Sequence, residues 1–128
     1  MTDLDRLTAE PTLLLDVKCS LGEGPRWSAR ENRLYWVDID RSEMLRWDAA
    51  SGAIERRRFD APVACFAFRE QGGFILGMKD GCALLDAWDG TPAPFGPQPL
   101  AGRPRHRMND GRTDPAGRFW LGSLNGAK

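Results

Sequence analysis

The chain is poor in the residue types that most often announce a catalytic centre. A single histidine, His106, stands in 128 residues. A serine–histidine–aspartate triad would have to be built on that one ring, and no G-x-S-x-G elbow accompanies it. The three cysteines, Cys19, Cys65 and Cys82, are widely spaced and form no C-x-x-C pair. They signal neither a zinc site nor a redox motif, and they fit reduced, buried thiols. Neither sign of charge is in excess, with 18 Lys+Arg against 18 Asp+Glu. A nucleic-acid binder normally carries a basic surplus, so no nucleic-acid partner is expected. No apolar run approaches the ~18 residues of a transmembrane helix. The opening M-T-D-L-D-R lacks the basic-then-apolar plan of a secretory signal. The expectation is therefore no membrane partner and a cytoplasmic location. A helical period extending beyond two turns is missing throughout.

What is present is enough apolar material for one packed domain. Hydrophobic residues make up 41% and charged residues 28%. The 14 glycines and 9 prolines exceed the average usage of roughly 7% and 5% and punctuate the whole chain. Such punctuation favours many short strands. R-L-Y-W-V-D-I at 33–39 is an aromatic and β-branched run that follows a polar turn at 28–32. E-M-L-R-W-D at 43–48 comes next, and A-S-G at 50–52 turns into a third run at 54–59. Hairpin-linked strands are expected there. The plan returns at F-I-L-G-M, 74–78, with a K-D-G turn leading to C-A-L-L-D at 82–86. It begins again after D-P-A-G at 114–117, with R-F-W-L-G at 118–122. A stretch with Asp89, Gly90, Pro92, Pro94, Pro97 and Pro104 reads as loop between the second and third units.

Leu34, Phe74 and Phe119 are 40 and then 45 residues apart. That period, with several strands per unit, is the sequence form of a β-propeller blade. The expected class is all-β, a β-propeller. A propeller closes with ~4–8 blades, and about two and a half are expected here. Residues 1–128 then read as the N-terminal part of a single, truncated propeller domain. Self-association through uncovered blade edges is an expected consequence.

The innermost strand of each blade lines the central channel, so sites form at its mouth. Glu23 lies 11 residues before Leu34, and Asn109 lies 10 before Phe119. The equivalent places in the second unit, Val63 and Ala64, are apolar. A carboxylate and a carboxamide brought to one mouth offer hard oxygen ligands, suited to Ca²⁺, Mg²⁺ or Mn²⁺. Gly22, Gly24 and Gly111 allow tight turns or close backbone approach. Arg107, two residues before Asn109, shares its face in an extended segment and can hold a substrate oxygen with paired donors. Blander readings stand beside these. Glu23 between glycines also fits a surface turn, N-D-G at 109–111 is itself a turn signal, and Arg105 with Arg107 fits a solvated edge. D-P-A-G reads as a turn alone. R-R-R at 56–58 reads as the exposed face of an outer strand, and the five tryptophans read as blade packing.

Three stretches together resemble the gluconolactonase/regucalcin family, the senescence-marker-protein-like lactonases. They are L-G-E-G-P-R-W at 21–27, N-R-L-Y-W-V-D-I at 32–39, and R-M-N-D-G-R-T-D-P-A-G-R-F-W-L-G at 107–122. M-L-R-W-D at 44–48 and G-G-F-I-L-G at 72–77 also fit, so the likeness runs from about Leu13 to Leu124. The resemblance implies a six-bladed propeller with one divalent cation, Ca²⁺ first and Zn²⁺ also used, that hydrolyses small sugar lactones. It implies that Glu23 is a metal ligand and that Arg107 and Asn109 contact substrate. The remaining ligands of the family, an asparagine and an aspartate that also serves as general base, would fall beyond Lys128. An acidic substrate contact of some members has no match, since Asn125, Gly126 and Ala127 stand in its place.

The implied activity is metal-assisted opening of a lactone, with the 128-residue chain inactive alone. The alternatives are a non-catalytic propeller fragment acting as a binding or structural piece, and a related propeller hydrolase for organophosphates or aryl esters.

Overall fold

The computed structural model describes residues 10–126. The opening segment at 1–6 and the end at 127–128 lie outside the described residues. Ten strands follow one another: β1 (Gly22–Ser28), β2 (Arg33–Asp38), β3 (Glu43–Asp48), β4 (Ile54–Arg58), β5 (Cys65–Phe68), β6 (Phe74–Gly77), β7 (Cys82–Leu85), β8 (Ala93–Phe95), β9 (His106–Thr113) and β10 (Phe119–Asn125). They form two four-stranded sheets, ordered β1-β2-β3-β4 and β5-β6-β7-β8, and a two-stranded sheet of β9 and β10. Every pairing is antiparallel between chain neighbours. The described residues contain no helix. The repeat read from Leu34, Phe74 and Phe119 is therefore a repeat of sheets. These are blades of a propeller, two of them four-stranded and a third represented by β9 and β10.

The core lies between the first two sheets. The alternation in 33–39 sends Tyr35, Val37 and Ile39 to one face, where all three are buried. They meet Phe66, Phe74, Leu76 and Leu85 from the second sheet. Tyr35 is the hub of an aromatic cluster, with ring centroids 5.3 Å from Phe68 and 5.4 Å from Phe74. Tilted and edge-on arrangements of this kind suit the ring quadrupoles. Burying each large side chain here contributes roughly 1.5–3 kcal/mol. The third sheet docks through Leu121, because a side chain on Gly77 would come 2.8 Å from the Leu121 Cδ1 atom. The Met108 amide also donates to the Met78 carbonyl at 3.2 Å.

Several expectations are corrected. The proline-rich stretch is not all loop: Ala93–Phe95 forms β8, the outer strand of the second sheet. It is short, exposed and carries Pro94, as an edge strand tolerates. N-D-G at 109–111 is not a turn but an interior part of β9. Of the five tryptophans, Trp27 and Trp120 are 49% and 63% exposed in this chain. Arg57 also departs from a merely exposed outer face: its guanidinium donates to the Trp88 carbonyl at 2.7 Å and to that of Gly90, tying the first sheet to the second. Cys65 is buried, whereas Cys19 and Cys82 are half-buried; all three are free thiols. D-P-A-G at 114–117 is a turn as expected. Asp114 there accepts from the amides of Ala116 and Arg118, each at 2.9 Å. None of the helices required for a membrane span occurs among the described residues.

Candidate functional site

The inner strands are β1, β5 and β9, and they stand side by side in that order. Strand register makes their residues comparable. Trp27 pairs with Leu34, Phe68 with Phe74 and Thr113 with Phe119. Glu23, Ala64 and Asn109 each lie four residues before those pairs. The three are thus equivalent points near the starts of consecutive inner strands, with a carboxylate, a methyl and a carboxamide in turn.

Both polar members sit where the ladder is broken. The β1–β2 register shifts between Glu23 and Arg26, and Gly24 inside the shift takes φ +61°, a left-handed conformation that glycine adopts without steric cost. The β9–β10 register shifts between Leu121 and Ser123, so the corresponding bulge holds Asn109 and Asp110. Bulges re-aim side chains and recur beside binding sites. Gly111 closes the second one. A Cβ there would stand 2.7 Å from the Trp120 carbonyl oxygen and 2.9 Å from the Phe119 ring.

Arg107 and Asn109 are brought together. One guanidinium nitrogen, Nη1, donates to Asn109 Oδ1 at 3.2 Å and to the Met108 carbonyl at 2.9 Å. The carboxamide is thereby oriented, and its Nδ2 group stays available as a donor. Glu23 is exposed, and its side chain makes no hydrogen bond or ion pair among the described residues. No bond joins it to Arg107 or Asn109, and β5 runs between their strands. The site is therefore two polar points flanking an apolar one.

A residue that the sequence reading passed over positions the first point. Asp38 ends β2 and pairs with Gly22, the residue before Glu23. Its side chain is fully buried. Oδ2 accepts from the Ser20 amide at 2.9 Å, and Oδ1 from the Leu21 amide at 3.1 Å. Arg41 adds an ion pair at 3.6 Å and a longer bond from its amide. Burial pushes the Asp38 carboxyl up, but the amides of Leu21, Ser20 and Arg41 and the Arg41 charge outweigh it and hold it below the ordinary 3.8. The signal in the sequence was a charged residue inside an apolar run, where an unpaired carboxylate would be costly.

Glu23 and Asn109 supply hard oxygen atoms of the kind that Ca²⁺ takes. One carboxylate does not make such a site, and among the described residues no group of three His, Cys, Asp or Glu side chains can hold a metal ion. A cation held by Glu23 needs ligands additional to these.

The chain is 43% identical over 104 residues to 6-deoxy-6-sulfogluconolactonase of Pseudomonas putida, a match covering 81% of this chain and 35% of that protein. It is 38% identical over 104 residues to regucalcin of Gallus gallus, covering 81% and 34%, and 35% identical over 113 residues to regucalcin of Homo sapiens, covering 87% and 37%. The chain thus spans about a third of the length of these curated relatives. Among solved structures it superposes on the calcium-binding protein regucalcin from Agrobacterium tumefaciens with a TM-score of 0.77 at 25% identity, over 84% of this chain and 36% of that one. A luciferin-regenerating enzyme superposes with a TM-score of 0.71, also at 25% identity, over 84% and 37%. Residues 21–128 match the family described as the SMP-30/Gluconolactonase/LRE-like region, and this chain belongs to that family.

Proposed function

We propose that this chain supplies part of the site of a lactone-opening hydrolase and is inactive as 128 residues alone. Glu23 is one ligand of a divalent cation, Ca²⁺ best suited to its hard oxygens. When bound, such an ion supplies the charge that polarises a carbonyl and acidifies water. Arg107 and Asn109 hold the ring oxygens of a small sugar lactone. Arg107 does so with the donors not spent on Met108 and Asn109, and Asn109 with its Nδ2 group. The observation that carries this reading is the matched placement of Glu23 and Asn109 at bulges on equivalent inner-strand positions. Relatives named lactonase or regucalcin support the substrate class and the cation. The remaining ligands and the general base belong to blades beyond the two and a half of this chain, and the setting is cytoplasmic.

The experiment is a chimera in which this chain replaces the matching third of the Pseudomonas putida relative. Hydrolysis of 6-deoxy-6-sulfogluconolactone, the substrate in that relative's name, is followed with and without added Ca²⁺. The expected result is that the chimera hydrolyses the lactone and the 128-residue chain does not. Arg107→Met raises KM by about tenfold, the worth of a charged hydrogen bond to substrate. Unchanged kinetics in Arg107→Met and Asn109→Ala would remove the substrate-binding assignment. Metal-dependent turnover by the 128-residue chain would remove the claim of inactivity.

A further inference from the structure

The second sheet places only a methyl, Ala64, in the row of inner-strand points that carries Glu23 and Asn109. Its polar contribution comes from the connection between β6 and β7, at 78–81. The Met78 amide donates to the Gly81 carbonyl at 2.9 Å and closes a turn there. Three successive residues of this turn hold the segment that leads into β9. The Asp80 carbonyl accepts from the Leu100 amide at 3.0 Å, and the Met78 carbonyl accepts from the Met108 amide at 3.2 Å. Between them, the Lys79 ammonium donates to the carbonyls of Arg103 and His106 at 3.4 and 3.3 Å.

The His106 amide also donates to the Arg103 carbonyl at 3.0 Å. Residues 103–106 are thus a turn whose first and last carbonyls meet at one cation. An ammonium offers three rotatable donors on a flexible stem, so one Lys can serve both carbonyls. The bonds are long, and the full charge on the donor strengthens them. Asp80 stands 3.7 Å from Nζ as an ion pair, beyond hydrogen-bond length.

His106 and Met108 flank Arg107. Both flanks are therefore fixed from the second sheet, one by its carbonyl and the other by its amide. Arg107 in turn donates to Asn109 Oδ1 at 3.2 Å. We propose that Lys79 is a positioning residue, which sets the entry of β9 and through it the aim of Arg107 and Asn109. The kinetic consequence rests on reading those two residues as substrate contacts; the placement of the strand does not. The apolar second blade thus serves the site by holding its neighbour.

The test has two arms. In the first, hydrogen exchange and side-chain amide signals are followed by NMR in the ¹⁵N-labelled 128-residue chain. Lys79→Met keeps the bulk of the stem and removes the charge. It speeds exchange of the Met108 amide about tenfold and shifts the Asn109 Nδ2 signals, while amides of β2 and β6 exchange as before. Lys79→Arg, which keeps donors for both carbonyls, restores the wild-type pattern. In the second arm the same variants are placed in the chimera. Lys79→Met raises KM about threefold with kcat unchanged, and adds nothing further in an Arg107→Met background, because it acts through Arg107. An unchanged Met108 amide and Asn109 carboxamide in Lys79→Met would overturn the proposal. So would faster exchange spread evenly over all three sheets. Additive effects of Lys79→Met and Arg107→Met on KM would make Lys79 a direct substrate contact and also overturn it. A chimera inactive in every form would count against the lactone reading alone, and the exchange arm would still decide on Lys79.

Discussion

Replacing Asp38 tests whether the entry to the candidate site is held by one buried carboxylate. Its two oxygens accept from the amides of Ser20 and Leu21 at 2.9 and 3.1 Å, with a longer bond from Arg41. In Asp38→Ala these donors lose their acceptor, and each orphaned buried donor costs ~1–3 kcal/mol. Part of that returns, because the 20–21 segment can turn toward water. The net expectation is a loss of about 3 kcal/mol, a large share of the ~5–15 kcal/mol that holds a typical domain. Asp38→Asn keeps one acceptor but sets an amide N–H against a backbone N–H, so it costs about 1–2 kcal/mol. The assay is urea unfolding followed by tryptophan fluorescence. The pH dependence has a definite sign. The folded carboxyl titrates below the ordinary 3.8, so its contribution is present above 3.8 and is lost as pH falls through the lower, folded value. The wild type therefore loses stability more steeply below pH 3.8 than Asp38→Asn does. An Asp38→Ala chain within about 0.5 kcal/mol of wild type at neutral pH would refute the reasoning.

Further outcomes follow from other contacts. Gly111→Ala forces a Cβ to 2.7 Å from the Trp120 carbonyl. It should lower stability by about 1–3 kcal/mol in the same assay. Arg57→Met removes the bonds to the Trp88 and Gly90 carbonyls that join the first two sheets. A loss of ~1–3 kcal/mol is expected, whereas a neutral result would show that those carbonyls find water instead. Burial pushes the Cys65 thiol up to about 12, from an ordinary 9.0. At pH 8, iodoacetamide should modify it only as fast as the chain opens, as mass spectrometry of timed aliquots would show. The stability tied to that thiol is full below 9.0 and is lost as pH rises toward 12.

Much of the fold can be read from strand-forming runs. E-M-L-R-W-D at 43–48 is β3 with the same bounds, because a six-residue run flanked by turns has one sensible pairing. β8 could not be read, since Pro94 argues against a strand and only an edge position next to β7 makes it tolerable. N-D-G at 109–111 carries turn chemistry, yet pairing with β10 recruits it into a bulge. Local propensity is a weak vote against a whole ladder. The equivalence of Glu23 and Asn109 was visible by counting back 11 and 10 residues from the aromatic strands, because the repeat of sheets preserves that count to within one residue. The bond from Arg107 to Asn109 needed only the two-residue spacing of one strand face. The Asp38 anchor was not visible, as it depends on segments meeting across a turn.

We propose that Glu23 holds a cation on which lactone opening depends. The most direct measurement is a Ca²⁺ titration of lactone hydrolysis by the chimera, with Glu23 and with Glu23→Gln, at matched thermal stability. Loss of the charged ligand should raise the Ca²⁺ needed for half-maximal rate by at least about tenfold, with partial recovery at high Ca²⁺. Identical titration curves for the two proteins would contradict the account.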